Sequence, residues 1–276
     1  TGGDGTDTIS TTMESTQNSD DIFFTDGAAT TAQPTLSGFE IAKVTLLDRG
    51  GAQNLDVTTA SFASTIALAG TIIDANTTIN NIGATQGIKL DSVNITGADL
   101  ILSQKDSSAS APAASLAITS DLFETTGEVT STIHDLRADT VSAVTIDLAS
   151  TDTSLTSVVI TAASFDEAST VTVTSAENVT VTTMDADESA TLDFTGVTGD
   201  LSFTTSSDNK YTIKGSATAT NTFILGTTLD KDETVIGGSA TDDKLTATIE
   251  DLANSTTSTT GALNISGVEF IELLTA

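Results

Sequence analysis

The chain has no cysteine and no tryptophan, and only one histidine, one tyrosine and two prolines among its 276 residues. Without cysteine there is no disulfide framework and no thiolate zinc site. A single histidine, His134, makes no histidine-rich metal cluster. It would have to serve any His-based triad alone, and no G-x-S-x-G elbow accompanies it. Aromatics are 4% of the chain, so a sugar-processing cleft would lack its usual ring platforms. Basic residues are scarce too. Nine Lys+Arg against 38 Asp+Glu give a net charge of −29, which repels nucleic-acid phosphates and anionic membrane surfaces. No apolar run approaches the ~18 residues of a membrane-spanning helix, so no membrane insertion is expected. No basic start leads into an apolar stretch, and Thr1-Gly2-Gly3 reads as the interior of a longer or processed protein.

What the chain does have is threonine, about a fifth of its residues, with Val, Ile, Leu and Ala. Branching at Cβ suits the pleated surface of a strand, so the core is expected to be built from these side chains and threonine methyls. Short alternating runs recur, among them Asn54–Thr58, Thr65–Ala69, Thr77–Ile82, Val141–Leu148, Thr170–Thr174 and Tyr211–Lys214. Gly, Asp, Asn or Ser punctuates most of them. The best helical patterns, Ala162–Ala168, Ser120–Thr126 and Asp243–Ala253, are short. Spacing is the stronger signal. Val159, Val181, Phe203 and Ile224 recur every 21–22 residues, and Val173, Phe194, Ile213 and Val235 every 19–22, interleaved with the first series. Two all-β architectures fit. One is an elongated right-handed β-solenoid, a parallel β-helix with two strands per turn and a stacked apolar ladder. The other is tandem antiparallel β-sandwiches. The rarity of Asn-Gly and Asp-Gly hairpin pairs favours the solenoid.

A longer repeat overlies this one. Gly2-Gly3-Asp4-Gly5-Thr6-Asp7-Thr8-Ile9 returns, with one insertion, as Gly237-Gly238-Ser239-Ala240-Thr241-Asp242-Asp243-Lys244-Leu245. Leu36-Ser37-Gly38-Phe39-Glu40-Ile41 returns in the same order as Ile265-Ser266-Gly267-Val268-Glu269-Phe270. The chain therefore divides into an entry segment, 1–46, a threonine-rich body, 47–236, and the start of a further copy, 237–276.

The first of these segments fits the pattern G-G-x-G-x-D-x-U, in which glycines allow tight turns and the aspartate supplies a hard oxygen for Ca²⁺. The candidate metal ligands are Gly3, Asp4, Gly5 and Asp7, joined by the acidic pairs Asp20-Asp21 and Asp242-Asp243. Further acidic clusters are Asp185 with Asp187 and Glu188, and Asp230 with Asp232 and Glu233. Gly215–Phe223 is a weaker copy with Asn221 where the aspartate would be. These turns, with Ser37-Gly38-Phe39-Glu40 and Ile265–Leu273, resemble the RTX-related S-layer proteins and large adhesins of bacteria. The resemblance covers the two ends, around 2–46 and 237–274. It implies secretion to the bacterial cell surface, calcium-dependent folding and self-assembly into a lattice or filament, with cell-surface polysaccharide as a further partner. The consecutive nonapeptides of a full calcium β-roll are absent from the sequence. The leading expectation is a calcium-stabilised structural surface protein without enzymatic activity. A spacer or ligand-binding module of a large adhesin is the alternative.

Overall fold

Alternation decides which side chains face inward. In Thr170–Ser175, TVTVTS, Val171 and Val173 are fully buried while the threonines between them are half-exposed. A strand of this kind buries one face, and another sheet must cover it. The computed structural model describes residues 4–13, 36–46, 53–69, 72–73, 76–91, 94–108, 112–113, 115–122, 130–150, 153–205, 209–226, 228–229, 232–248 and 264–274.

These residues form two sheets. The first runs β1 (Thr8–Met13), β2 (Ile41–Leu46), β4 (Thr65–Ala69), β7 (Gly87–Asp91), β9 (Leu116–Leu122), β11 (Ala143–Ser150), β13 (Thr170–Ser175), β16 (Thr191–Val197), β18 (Thr212–Lys214), β20 (Thr234–Ile236) and β22 (Asn264–Ser266). The second runs from β3 (Gln53–Asp56) through β6 (Thr77–Ile82), β8 (Asn94–Gln104), β10 (Thr130–Arg137), β12 (Ser157–Phe165), β14 (Asn178–Val181), β17 (Leu201–Thr204), β19 (Asn221–Gly226) and β21 (Lys244–Thr248) to β23 (Phe270–Leu274). The short strands β5 (Ile72–Ile73) and β15 (Met184–Ala186) pair beside β8 and β12. Every pairing between these strands is parallel, which excludes the antiparallel sandwiches. Through the body of the chain, successive strands alternate between the sheets, so each turn stacks on the one before. The protein is a β-solenoid.

Rungs stack in register. Thr170 pairs with Thr191, Thr191 with Thr212 and Thr212 with Thr234, a column of identical side chains on one outer face. Inward, Val171, Leu192, Ile213, Val235 and Ile265 form the ladder of the first sheet. Ile160, Val181, Phe203, Phe223, Leu245 and Ile271 form that of the second. The sequence series had the right period but missed some inward residues. Val159 faces Thr180 and Ile224 faces Thr204, both on the outer side, while their neighbours Ile160 and Phe223 point inward. Phe194 is buried but is not opposite Ile213. Leu192 holds that place, 21 residues before Ile213, and the register of β16 against β13 slips only beyond it, between Thr172 and Thr174. A shift of one residue moves a side chain to the other face.

Phe165, Phe194, Phe203, Phe223 and Tyr211 are the largest fully buried side chains. Phe194 of the first sheet and Phe203 of the second touch across the interior, their ring centroids 5.4 Å apart. The expected helices are not there. Ala162–Phe165 belongs to β12, Ser120–Leu122 to β9 and Lys244–Thr248 to β21, while residues 123–126 and 249–253 lie outside the described residues. Among the described residues the one helical element is a single 3₁₀ turn, Thr58–Ala60. The ladder runs through both sequence boundaries, since β2 pairs with β4 across 46/47 and β19 with β21 across 236/237.

Candidate functional site

The two repeated segments adopt the same local geometry at opposite ends of the solenoid. Before β1, the Asp7 N–H donates to Glu40 Oε2 (2.7 Å), and the Asp7 carbonyl accepts the N–H groups of Glu40 and Ile41 (3.1 Å each). Before β21, the Asp243 N–H donates to Glu269 Oε2 (3.1 Å), and the Asp243 carbonyl accepts those of Glu269 and Phe270 (3.0 Å each). Gly38 and Gly267, two residues ahead of each glutamate, have φ of 73° and 63°, the left-handed region where glycine alone is unstrained. Asp7 thus corresponds to Asp243, Glu40 to Glu269, and β1–β2 to β21–β23. Glu40 and Glu269 were not among the expected site residues, although their shared Ser-Gly-x-Glu context was visible in the sequence.

The aspartate of the second turn is buried and fully engaged. Asp243 Oδ1 accepts the Asn221 N–H (2.7 Å) and Asn221 Nδ2–H (3.1 Å), and Oδ2 accepts the Gly238 N–H (2.7 Å). Asn221 repeats the device one rung earlier. Its Oδ1 accepts the Ser216 N–H (2.6 Å), and its Nδ2 also donates to the carbonyls of Ser216 (3.0 Å) and Ala219 (3.1 Å). In each turn a side-chain oxygen folds back onto the N–H of the residue after a glycine. Gly215 and Gly237 leave room for it, since a Cβ at Gly215 would meet Asn221 and one at Gly237 would meet Asp243 and the Gly267 carbonyl. Three N–H donors aimed at one carboxylate occupy most of its lone pairs and hold the turn closed.

The other expected ligands are dispersed. Asp4, Gly5 and Asp242 are exposed, with Gly5 at φ 112°. Gly3, Asp20 and Asp21 lie outside the described residues, as do Asp26 and Asp230. Asp185 Oδ1 accepts the Tyr211 hydroxyl (2.9 Å) and Asn209 Nδ2–H (3.0 Å), Asp187 Oδ1 accepts the Ser189 N–H, Asp232 pairs with Lys210, and Glu233 is fully buried. Among the described residues no three His, Asp or Glu side chains converge in a metal-holding group. Tyr211 is buried in the core and offers no platform to a sugar. A shallow groove of about 340 Å³ beside β11, β13 and β16 is lined by Asp147, Thr174, Gly196 and Thr198 among others. Its carboxylate, Asp147, accepts the Thr174 hydroxyl (2.8 Å).

One pair of carboxylates does meet. Asp135 of β10 stands opposite Asp99 of β8, where the pairing of these strands shifts register, and follows His134 in the chain. Burial, and after it the negative charge of Asp99 and the hydrogen bond between them, raises the Asp135 carboxyl above its ordinary 3.8. A raised acid favours the fold when protonated. That contribution is complete below the ordinary value and is lost as pH rises through the raised one. Asp135→Asn should therefore stabilise the protein at pH 7 by ~0.2–1 kcal/mol, as for other like-charged cross-strand pairs, and should make little difference near pH 3. Thermal melts of the two proteins across this pH range check both halves of the expectation.

Comparison of the chain with protein-family models, with curated proteins and with solved structures finds no match.

Proposed function

We propose that this chain is a structural element of a bacterial cell-surface layer or extracellular filament, and that it works by self-assembly rather than by catalysis. The observation that carries this reading is the repeated Asp7–Glu40 and Asp243–Glu269 geometry, which leads into a strand pair of the first sheet near one end of the solenoid and into a pair of the second sheet near the other. A solenoid whose last rungs repeat its first is built to be extended. The acidic, cysteine-free and threonine-rich composition supports an extracellular setting. The buried Tyr211 and a groove whose carboxylate is engaged by Thr174 support this reading over a catalytic one.

Calcium enters this reading through exposed carboxylates such as Asp4 and Asp242, where it would offset part of the charge of −29. Adding millimolar calcium to the purified chain is expected to increase particle size by light scattering and to give ordered sheets or fibres by electron microscopy. Chelation should reverse both, and magnesium should act more weakly. A chain that stays a folded monomer at every calcium concentration overturns the surface-layer reading and favours a spacer module in a longer adhesin.

A further inference from the structure

The outer face of the second sheet holds a strip without charge in the middle of the body. Thr132, Val159, Thr180, Ser202 and Thr222 pair rung to rung in a single column. Two residues further along their strands, Thr182, Thr204 and Ile224 stand beside it. The residues between them, among them Val181, Phe203 and Phe223, are buried, so alternation turns the whole strip outward. Ile224 is 37% exposed. It is the one exposed large apolar side chain among the described residues ahead of β23.

Charge surrounds this strip. Its column ends at Lys244, opposite Thr222. Asp99 and Asp135 flank it on one side, and the exposed Asp200, two residues before Ser202, on the other. The outer face of the first sheet offers no equal. It carries Lys43, Lys89 and Asp91, then Asp147, then Asp193 paired with Lys214. The threonine column there runs directly beside Asp193 and Lys214. What the strip can meet follows from this. A second copy, itself at −29, is repelled wherever carboxylates face it, and within the strip none do. A cation or a basic segment finds no counter-charge in it, and a sugar finds no aromatic ring. Short side chains stacked in register make a flat surface, of the kind that packs on another sheet at ~10 Å.

We infer that two copies of this chain pack side by side through this face, each contributing the same strip. The contact is isologous, so it closes a pair and leaves the first sheet free for other neighbours. Five rungs at ~4.8 Å and a width of two outward positions give roughly 350 Å² per partner, less than half of the ~800 Å² of a standard stable interface. The pair is therefore weak alone and gains from repetition in a layer. This inference rests on the self-assembly reading and gives that reading a lateral contact.

Val159→Lys with Ser202→Lys tests the face. Both side chains are half-exposed, so circular dichroism and melting should be preserved. The pair makes the chain less acidic, which by net charge alone would ease association. Buried in a shared face, the two lysines should instead raise the concentration needed for association at least tenfold. Sedimentation velocity reads this in millimolar calcium, and separately in about 1 M sodium chloride, where charges reach only ~3 Å. Thr170→Lys with Thr212→Lys makes the same charge change on the first sheet and should leave association unchanged or ease it. In a second arm, Thr180→Cys puts a single thiol in a chain that has no other. It should give a covalent dimer with a short bismaleimide, while Ala149→Cys, exposed on the first sheet, should give none. A second-sheet lysine pair that behaves like the first-sheet pair overturns the inference, as does Thr180→Cys cross-linking no better than Ala149→Cys. The surface-layer reading then stands as long as the wild type assembles. A wild type that stays monomeric in both calcium and salt overturns both.

Discussion

Phe203→Ala is expected to lower the unfolding free energy by ~3–5 kcal/mol. Phe203 is completely buried, lies between Val181 and Phe223 in the ladder of the second sheet, and reaches across the interior to Phe194. The cavity left by its ring opens between two sheets that cannot close over it. Hydrogen bonds to rungs on both sides hold β17 at strand spacing, ~4.8 Å from each neighbour. A loss of this size is a large part of the 5–15 kcal/mol that keeps an ordinary domain folded. Because each rung contacts only its neighbours, the damage should also divide the molecule. Urea unfolding followed by circular dichroism should become two steps, with the rungs around Phe203 releasing first. Phe203→Leu, which keeps most of the volume, should recover more than half of the loss. A single transition at the wild-type midpoint for Phe203→Ala would contradict the packing described here.

Asp243→Ala should cost ~2–5 kcal/mol. It leaves the buried N–H groups of Asn221 and Gly238 without an acceptor, at ~1–3 kcal/mol each, and takes a partner from the Asn221 amide. Asp243→Asn should recover only part of this, since an amide presents one acceptor oxygen to donors that now use two. The effect has a signature. If Asp243 acts through these hydrogen bonds, the loss is the same in calcium and in chelator. If it were a calcium ligand, the mutant and the wild type would converge in chelator. Hydrogen exchange should show the loss concentrated in β19, β21 and β23, with the middle of the solenoid unaffected.

The extent to which this was legible in the sequence follows from which contacts are local. Strand alternation is local, and Thr65–Ala69 and Thr77–Ile82 were located to the residue. The two-strand period was visible because identical residue types stack every turn, as in the threonine column. The inward face was harder to assign. Val158, Val159 and Ile160 are all β-branched, so composition cannot say which of them points in, and only the partner rung decides. The slip at Gly196 is a backbone event that spacing cannot foresee. Ala162–Ala168 read as a helix because its small residues permit one, and pairing with β10 overrode that preference. The terminal repeat was legible residue by residue, but its role was not. The sequence supplies Asp243 and Asn221 without showing that they bond to each other across adjacent rungs. That contact makes Asp243 the acceptor that holds a turn together.

The direction of the inter-rung hydrogen bonds has a mechanical consequence. They lie along the long axis, and β1 and β23 sit at opposite ends of the stack. A pull between the ends loads one rung's bonds at a time, as in a zipper, instead of shearing many at once. The body should yield at low force and in even steps. Where Thr170, Thr191 and Thr212 mark successive turns, each step frees 21 residues, or ~70 Å of extended chain. A filament of such units would stretch before it broke, absorbing work by paying out length turn by turn and taking it back when the load is removed.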